Sequence, residues 1–427
     1  MANPVATVER RSYFHPALLV LVGVNVLNFY DRNVASALNE PIRREFQLSD
    51  YQMGLLSSAF IWLYAIVGLP LGRLADGGNR KFLLAGAITL WSAMTACRGL
   101  VSSYPQLMIS TLGVAVGEAV CTPTASSWIG DLYPAERRSK ALSFYMMGLP
   151  LGAAASLFLS GPIAAAYGWR WAMMAAAAPA LLLVPALLLV DEPKRDRTRE
   201  EHHSPWSLLR IPTMWWIILS GGLMNFMMYA VNGFVPALLS RVHGLSVSQA
   251  GWTTGIAMLT GGLLGGVIAG RWGDHIIQRR RDGRMLWAGA AALLAAPASW
   301  LMIAPGAGQW LTAGIFIAIT YGLLNSYYGL VYPSLQDIVP PQLRATAMAT
   351  YFLGMYICGG SFGPLITGRL SDMFAARAAA AAGSAVVAEA HRALGLQQAM
   401  LVIPAVAVAL AGVLWMGSRT IRRDSLR

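Results

Sequence analysis

The chain has 427 residues, of which 56% are hydrophobic and 12% are charged. Since a soluble globular chain carries roughly 25% charged residues, this composition excludes an ordinary soluble protein and indicates that lipid is the main solvent. The net charge of +12 suggests nucleic-acid binding at first sight. The basic residues lie between apolar runs, however, so we expect no nucleic-acid partner.

About twelve apolar stretches are long enough to cross a bilayer, which takes roughly 20 residues. The first contains Asp31 and Arg32 and is longer than a signal-peptide core, so it is interpreted as a retained span. Six stretches precede a long charged segment: 14–38, 51–72, 82–101, 105–129, 140–165 and 170–190. Six more follow it: 211–240, 249–270, 285–304, 309–335, 344–369 and 395–417.

The charged segment 191–210 predicts a solvated linker between two groups of six spans. We therefore predict an all-α membrane protein with an N-terminal six-helix bundle at 1–190, a cytoplasmic linker at 191–210 and a C-terminal six-helix bundle at 211–427. Most of the 32 basic residues fall in cytoplasmic segments if the N-terminus is cytoplasmic. This bias predicts a multi-pass protein of the cell inner (plasma) membrane with both termini in the cytoplasm. The Ala-rich segment 371–394 is expected to form an outer connection.

Three pairs of similar segments recur in the same order, about 200 residues apart. They are LSDYQMG (48–54) with LSVSQAG (245–251), GRLAD (72–76) with GRWGD (270–274), and DLYPAERRSKAL (131–142) with DIVPPQLRATAM (337–348). A shift of six spans, an even number, gives both halves the same orientation. The sequence therefore predicts two parallel six-helix repeats, with a substrate site between them near the midplane.

Three ionisable residues lie within the predicted spans of the first half: Asp31, Arg32 and Glu118. Such residues are costly, at roughly 2.5–3.5 kcal/mol each near a helix centre, and mark function. Glu118 lies near the midplane, where desolvation disfavours a charged carboxyl and thereby suits proton exchange. We predict that Asp31 and Glu118 couple protons, and that Arg32 pairs with one of them or with an anionic substrate. The alternative is a static ion pair that joins two helices.

Two polar and aromatic stripes occur in the second half. Asn225, Tyr229 and Asn232 share one helix face, and Tyr321, Asn325 and Tyr328 repeat the pattern. They suit a cavity for an amphiphile, although hydrogen bonds between helices are the alternative. The predicted substrate-binding residues are Arg32, Asn28, Asn225, Tyr229, Asn232, Asn325 and Tyr328.

Several motifs resemble one family of transporters. GRLADGGNRK (72–81) resembles the loop motif between helices 2 and 3 of the major facilitator superfamily, GRWGD with Arg279–Arg281 resembles its second copy, and GWRWAM (168–173) is also similar. Within that superfamily the spinster-like group, which moves lysophospholipids and sphingosine phosphate, is resembled most. The motifs concerned are NFYDR (28–32), GLPLGRLAD (68–76), VGEA (116–119), DLYPAERRSKAL (131–142) and GLPLG (148–152).

The anion-cation symporter group, which imports sugar acids, shares the Asp-Arg pair and the Gly-Glu-Ala turn, so both groups stay open. Both usually place an arginine seven residues before the helix-4 glutamate, where this chain has Thr111. This departure puts an anion-binding role at position 111 in doubt.

The resemblance also implies a gate. In the superfamily, the aspartate at the position of Asp76 bonds across to the other half and holds the outward-open state. Charged residues around the repeated motifs are therefore predicted to gate transport, although a solvated positive face is the alternative. They are Asp76, Arg73, Arg80, Lys81, Asp131, Arg138, Asp274, Asp337 and Arg344.

Together these features predict a proton-coupled secondary active transporter that moves an amphiphilic lipid-like solute or organic anion by alternating access. The alternative is a proton symporter for small sugar acids or carboxylates; drug efflux and a non-transporting sensor are less favoured. Neither a His-Glu-x-x-His motif nor a Walker sequence occurs, so we expect no enzyme. The three cysteines have no metal-binding spacing, so we expect no metal and no cofactor. The expected partners are a small-molecule or lipid substrate, protons and membrane lipid, and we expect a monomer.

Overall fold

The computed structural model describes residues 15–77, 79–133, 141–142, 144–193, 205–277, 280–340 and 343–424. The helices of the first half are α1 (Pro16–Ala37), α2 (Asn39–Glu45), α3 (Asp50–Gly77), α4 (Arg80–Arg98), α5 (Tyr104–Ala119), α6 (Cys121–Leu132), α7 (Gly148–Tyr167) and α8 (Trp169–Leu189). A short 3₁₀ helix, Pro205–Arg210, comes next. The helices of the second half are α9 (Pro212–His243), α10 (Val247–Ile277), α11 (Gly283–Ile303), α12 (Trp310–Asp337), α13 (Arg344–Met355), α14 (Phe362–Ala381), α15 (Glu389–Met400) and α16 (Val402–Asp424).

Within the described residues, nine helical stretches are long and apolar enough to cross a membrane. The longer helices outside this set, α1, α4 and α14, carry charged residues, among them Asp31 of α1 and Arg98 of α4. Both of these residues are buried, at 2% and 4% exposure. Their charges therefore face protein and not lipid, which is where a spanning helix can tolerate them.

Three predicted spans are interrupted in the structure, one of them, 395–417, at Leu401 between α15 and α16. The predicted span 105–129 is divided at Val120 into α5 and α6, next to Glu118. The predicted span 344–369 contains a π-helical turn at Tyr356–Gly360 and continues as α14 to Ala381. Much of the Ala-rich segment is therefore helical, because alanine has the highest helix propensity.

The hydrophobic core is divided between the two halves. In the first half it surrounds the fully buried Trp91 and Trp128, and in the second half it contains Phe234. Tyr229 and Tyr356 come from the second half but pack against the core of the first. These two tyrosines therefore lie where the halves meet.

Two seams join the halves, α3 against α14 and α7 against α10. A glycine of the repeated LSxxQxG motif lies on each seam. A Cβ at Gly54 would come within 2.3 Å of the carbonyl oxygen of Pro364, and a Cβ at Gly251 within 2.7 Å of that of Leu157. Each repeat thus supplies the one residue type that lets the backbones of the two halves touch.

Candidate functional site

Arg32 and Glu118 form a buried ion pair that joins α1 to α5. The Nε of Arg32 donates to Oε2 of Glu118 at 3.1 Å, and its Nη2 lies 3.1 Å from the same oxygen. The side chain of Glu118 is fully buried, whereas that of Arg32 is 13% exposed. Neighbouring residues on a helix point about 100° apart, so Asp31 faces another helix. It accepts a hydrogen bond of 2.7 Å from the hydroxyl of Thr95 on α4.

Glu118 lies where helices pack closely and the backbone changes course. A Cβ at the adjacent Gly117 would be 2.9 Å from the carbonyl oxygen of Ala87, so α5 touches α4 here. One turn of chain later, α5 gives way to α6 at Val120. The Oε1 atom of Glu118 has no hydrogen-bond partner among the residues that the structure describes. A buried oxygen of this kind is available to a proton or a water molecule.

The guanidinium of Arg32 is surrounded by aromatic rings. Its Cζ lies 4.4 Å from the ring centroid of Tyr64, 5.1 Å from that of Phe29 and 5.5 Å from that of Phe60. Tyr64 meets Tyr356 of the second half edge to face, with centroids 6.0 Å apart. Aromatic faces attract a cation, so Arg32 is held at the boundary between the halves.

The second half presents six tyrosines beyond this boundary, which we call the tyrosine wall. Their rings are in contact within two groups, Tyr229 with Tyr356 and Tyr327 to Tyr351, with centroids 5.3–6.3 Å apart. Its members are Tyr229, Tyr327, Tyr328, Tyr332, Tyr351 and Tyr356. Tyr327 and Ser220 share a hydrogen bond of 2.8 Å, which anchors the buried side of the wall. Tyr229, Tyr328, Tyr332 and Tyr356 are partly exposed, so the wall also presents a surface.

The predicted asparagines are placed differently from the tyrosines. Asn225 donates to the carbonyl of Gly221 in its own helix at 3.0 Å. Asn325 donates to that of Gly262 at 3.1 Å, which joins α12 to α10. Asn28 is completely buried in the first half. In this conformation these three amides support helix packing, so a substrate contact for them stays a prediction.

Asn232 lies on the contact between the halves. Its side chain is partly exposed, and its backbone carbonyl accepts a hydrogen bond from the hydroxyl of Ser36. Among the predicted residues, the structure therefore brings Arg32, Tyr229 and Asn232 to the boundary between α1 and the second half.

Several of the predicted gating residues pair within the first half. Arg80 is fully buried, and its Nη1 donates to Asp131 at 2.7 Å while its Nε donates to Glu192 at 2.9 Å. The Nζ of Lys81 donates to the carbonyl of Leu188 at 3.2 Å. These contacts join the start of α4 to the end of α6, to the end of α8 and to the segment that follows α8.

The second half repeats the arrangement, since Arg284 at the start of α11 donates to Asp337 at the end of α12 at 2.9 Å. The gating role of these pairs stays a prediction. The remaining gating predictions fall on side chains outside the described part of the chain, namely Arg73, Asp76, Arg138, Asp274 and Arg344.

A second charged cluster, which the sequence did not predict, closes the end of the molecule opposite the start of α1 and the end of α16. We call this end the distal end. Arg241 of α9 donates to both carboxylate oxygens of Asp50 at 2.7 Å each, and to Glu40 at 2.9 Å. The side chains of Arg241, Asp50 and Glu40 are only 1%, 2% and 7% exposed. The two parallel hydrogen bonds make this the strongest type of ion pair in proteins.

The distal cluster extends to α14 and α15. Asp372 accepts hydrogen bonds from the backbone N–H groups of Asp50 and Tyr51 at 3.0 and 2.8 Å. An aspartate of the second half thus caps the N-terminus of α3, where the helix dipole favours a negative charge. Arg43 bridges Glu40 and Glu389 at 2.7 and 2.9 Å. A sequence signal existed for Asp372, because GRLSD (368–372) has the Gly-Arg-x-x-Asp pattern of GRLAD and GRWGD.

The distal cluster is expected to stay closed across the physiological pH range. Burial would raise the pKa of Glu40, but hydrogen bonds from Arg43 and the charge of Arg241 outweigh it and lower the pKa from 4.5 to about 2. Since the pKa of Glu40 in the closed protein is below its ordinary value, the ionised carboxylate stabilises the closed state fully above about pH 4.5. This stabilisation is lost as the pH falls towards 2.

The rate at which an impermeant maleimide labels Ser36→Cys, relative to its rate at the exposed Val386→Cys, should therefore stay constant between about pH 5 and pH 8. A severalfold rise in this relative labelling rate near pH 5 would contradict the expectation that the distal cluster stays closed.

Comparison with known proteins gives consistent matches along the chain. The sequence profile of the Major Facilitator Superfamily matches residues 21–364. An "MFS-type efflux pump" of Mycolicibacterium smegmatis is 33% identical over 97% of this chain and 94% of its own length. "Protein spinster homolog 1" of Homo sapiens is 29% identical over 83% of this chain and 72% of its own length.

Solved structures give the same result. A bacterial homolog of the human lysosomal transporter Spinster, in an inward-facing and occupied conformation, superimposes with a TM-score of 0.86 at 27% identity, over 96% of this chain and 98% of that one. The D-xylose-proton symporter has a TM-score of 0.72 at 18% identity, over 95% of this chain and 98% of that one, and shares the fold. The predicted fold class, an all-α membrane protein of two six-helix repeats, is confirmed.

Proposed function

Because this chain belongs to the major facilitator superfamily and is similar to its spinster-like members, we propose that it is a proton-coupled secondary active transporter of an amphiphilic lipid-like solute or organic anion. Membership makes it a multi-pass membrane transporter with a small-molecule substrate and not an enzyme. The observation that supports the finer proposal is the buried Arg32–Glu118 pair, held against aromatic rings of both halves.

The ion pair supplies a link between a proton and an anion. Arg32 satisfies the charge of Glu118 in this structure. When Glu118 takes up a proton, Arg32 loses its counter-charge and its guanidinium becomes available to a carboxylate or phosphate group, which it binds with two hydrogen bonds. Protonation and binding of an anionic group therefore favour each other, as linkage requires. This arrangement predicts that proton and substrate move in the same direction.

The surroundings of Arg32 favour an amphiphile over a small sugar acid. The cation is one side of the site, and the other side is the tyrosine wall, whose rings offer apolar faces with hydroxyl groups at their edges. A headgroup at Arg32 and an apolar chain along these faces would use both features. A small sugar acid would depend more on positive charge, and Thr111 withholds the arginine that the symporter group places in α5.

Alternating access requires that the distal end opens and closes. Arg241, Asp50 and Asp372 hold it closed in this structure. We propose that both termini are cytoplasmic and that the protein is a monomer of the cell inner membrane, so the distal end is extracytoplasmic. The cluster would then be the outer gate, which opens once per transport cycle.

A second candidate is efflux, and the relative from Mycolicibacterium smegmatis, whose name is "MFS-type efflux pump", favours it. Efflux driven by protons would require exchange, with proton and substrate moving in opposite directions. The proton and the substrate would then compete for the site, because substrate would bind only after Glu118 had released its proton. The direction of flux relative to the proton gradient separates this candidate from the first.

The test is transport by the full chain in proteoliposomes with an imposed pH gradient. The probes are a fluorescent lysophospholipid, sphingosine phosphate, glucuronate and a cationic dye. We expect uptake of a lysophospholipid or sphingosine phosphate in the direction of the proton gradient, and loss of that uptake in Arg32→Gln. Uptake of glucuronate alone would contradict the amphiphile, and accumulation against the proton flow would support efflux and contradict symport.

A further inference from the structure

A second arginine lies inside the first half, next to the acids. Arg98 is the last residue of α4, and it is 4% exposed. It follows Thr95 by three residues, so the two share a helix face, and Thr95 donates to Asp31 at 2.7 Å. The charge of Arg98 interacts with the carboxylates of both Asp31 and Glu118. Its Nε has no hydrogen-bond partner among the residues that the structure describes.

The charges of this region balance in pairs. Glu118 has Arg32 at 3.1 Å. Asp31 is 2% exposed and has the neutral hydroxyl of Thr95 as its hydrogen-bond donor. A buried carboxylate needs a counter-charge as well as a hydrogen bond. Arg98 is a buried cation one helical turn beyond Thr95, the residue that bonds Asp31, and its charge acts on Asp31 and, as the smallest of several influences, on Glu118.

The position of this arginine explains the departure at Thr111. Thr111 lies on α5, two helical turns before Glu118, and its hydroxyl donates to the carbonyl of Leu107 at 2.7 Å. The related transporter groups have their arginine at that position, on the same helix as the glutamate. In this chain a positive charge reaches the acids from the neighbouring helix α4, which packs against α5.

We infer that Arg98 is a positioning residue of the acid pair, which keeps Asp31 ionised and sets the pH at which Glu118 takes up a proton. The inference rests on the proposed proton coupling and extends it to a residue that contacts neither the aromatic rings around Arg32 nor the tyrosine wall in the described contacts. Other groups facing the acids are Tyr30 beside Asp31, and Arg32 and Cys121 beside Glu118.

The test measures proton binding in the absence of substrate. The infrared carboxyl band of the full chain in nanodiscs is titrated, and the part lost in Glu118→Gln is assigned to Glu118. In Arg98→Gln we expect the midpoint of that band to move to higher pH, because removal of a buried positive charge disfavours the ionised carboxylate. Arg98→Lys should keep the original midpoint. The charge-transfer variant Arg98→Gln with Thr111→Arg should return it towards the original value.

Three results would overturn the inference. One is an unchanged midpoint in a folded Arg98→Gln variant, and another is a shift of equal size in Arg98→Lys. If Arg98→Gln does not fold, the double variant Asp31→Asn with Arg98→Gln should fold, since it leaves no unbalanced charge; its failure would exclude the Asp31–Arg98 pairing. Because the titration needs no transported solute, a chain with no flux but with the predicted midpoints would contradict the proposed function and leave the role of Arg98 intact.

Discussion

Replacement of Glu118 by glutamine is expected to abolish pH-driven transport, down to the level of empty liposomes. Glutamine keeps the size of the side chain and can accept a hydrogen bond from Arg32, but it cannot take up a proton. The substrate site beside Arg32 should remain, so exchange of labelled for unlabelled substrate at equal pH should be partly retained. Flux under a pH gradient and exchange without one are the two measurements.

The matched control is Glu45→Gln. Glu45 is also paired with an arginine, Arg170, but the pair lies on the exposed surface of the first half. The Glu45→Gln variant should transport as the unaltered chain does, because exposed ion pairs contribute little to stability. Normal pH-driven flux in Glu118→Gln would show that Glu118 does not couple proton movement to transport. Loss of exchange as well would indicate that the carboxyl serves the substrate site and not the proton alone.

Replacement of Arg241 by glutamine should open the distal end. The change leaves the buried carboxylates of Glu40 and Asp50 without their shared counter-charge, a loss that costs about 3–5 kcal/mol in a buried pair. In the open state both carboxylates would face water, so the cost falls on the closed state. Since each 1.4 kcal/mol is a factor of ten, the ratio of closed to open molecules should fall by about two to three and a half orders of magnitude.

The measurement is the labelling rate of Ser36→Cys, whose parent hydroxyl contacts the second half, in a chain whose native cysteines are replaced. Arg44→Ala is the control, because Arg44 also pairs with Glu40, at 3.0 Å, but is 59% exposed. It should leave the rate almost unchanged. Asp372→Asn, which weakens the cap on α3, should raise the rate less than Arg241→Gln. Equal rates in Arg241→Gln and Arg44→Ala would show that the cluster does not hold the gate.

The sequence was sufficient to predict the architecture and part of the site. Long apolar runs and an even shift between repeats are enough to specify two like-oriented bundles. Asp31, Arg32 and Glu118 stand out because charges are rare inside apolar runs. Their grouping in the first half follows from the same pattern, and the structure adds that Glu118 is the partner of Arg32.

The distal cluster and Arg98 were not predictable in the same way. Arg241, Asp50 and Arg98 lie at the ends of helices, where charged side chains are normally solvated. Arg241 is 191 residues from Asp50 and 201 from Glu40 along the chain, so only the packing of the halves reveals that these charges are buried together. The break at Val120 and the π-helical turn at Tyr356–Gly360 depend on local backbone packing that composition does not encode.

The paired arginines at the end of the molecule opposite the distal cluster have a consequence for how the molecule changes shape. Each half has an ion pair that cross-links two of its own helix ends. The pair is Arg80–Asp131 in the first half and Arg284–Asp337 in the second. A cross-link of this kind resists shear between the helices of a bundle, so each bundle should turn as a single rigid body. The relative motion would then be concentrated in the thin glycine contacts at Gly54 and Gly251. Those two positions would form the axis about which one rigid body rolls on the other.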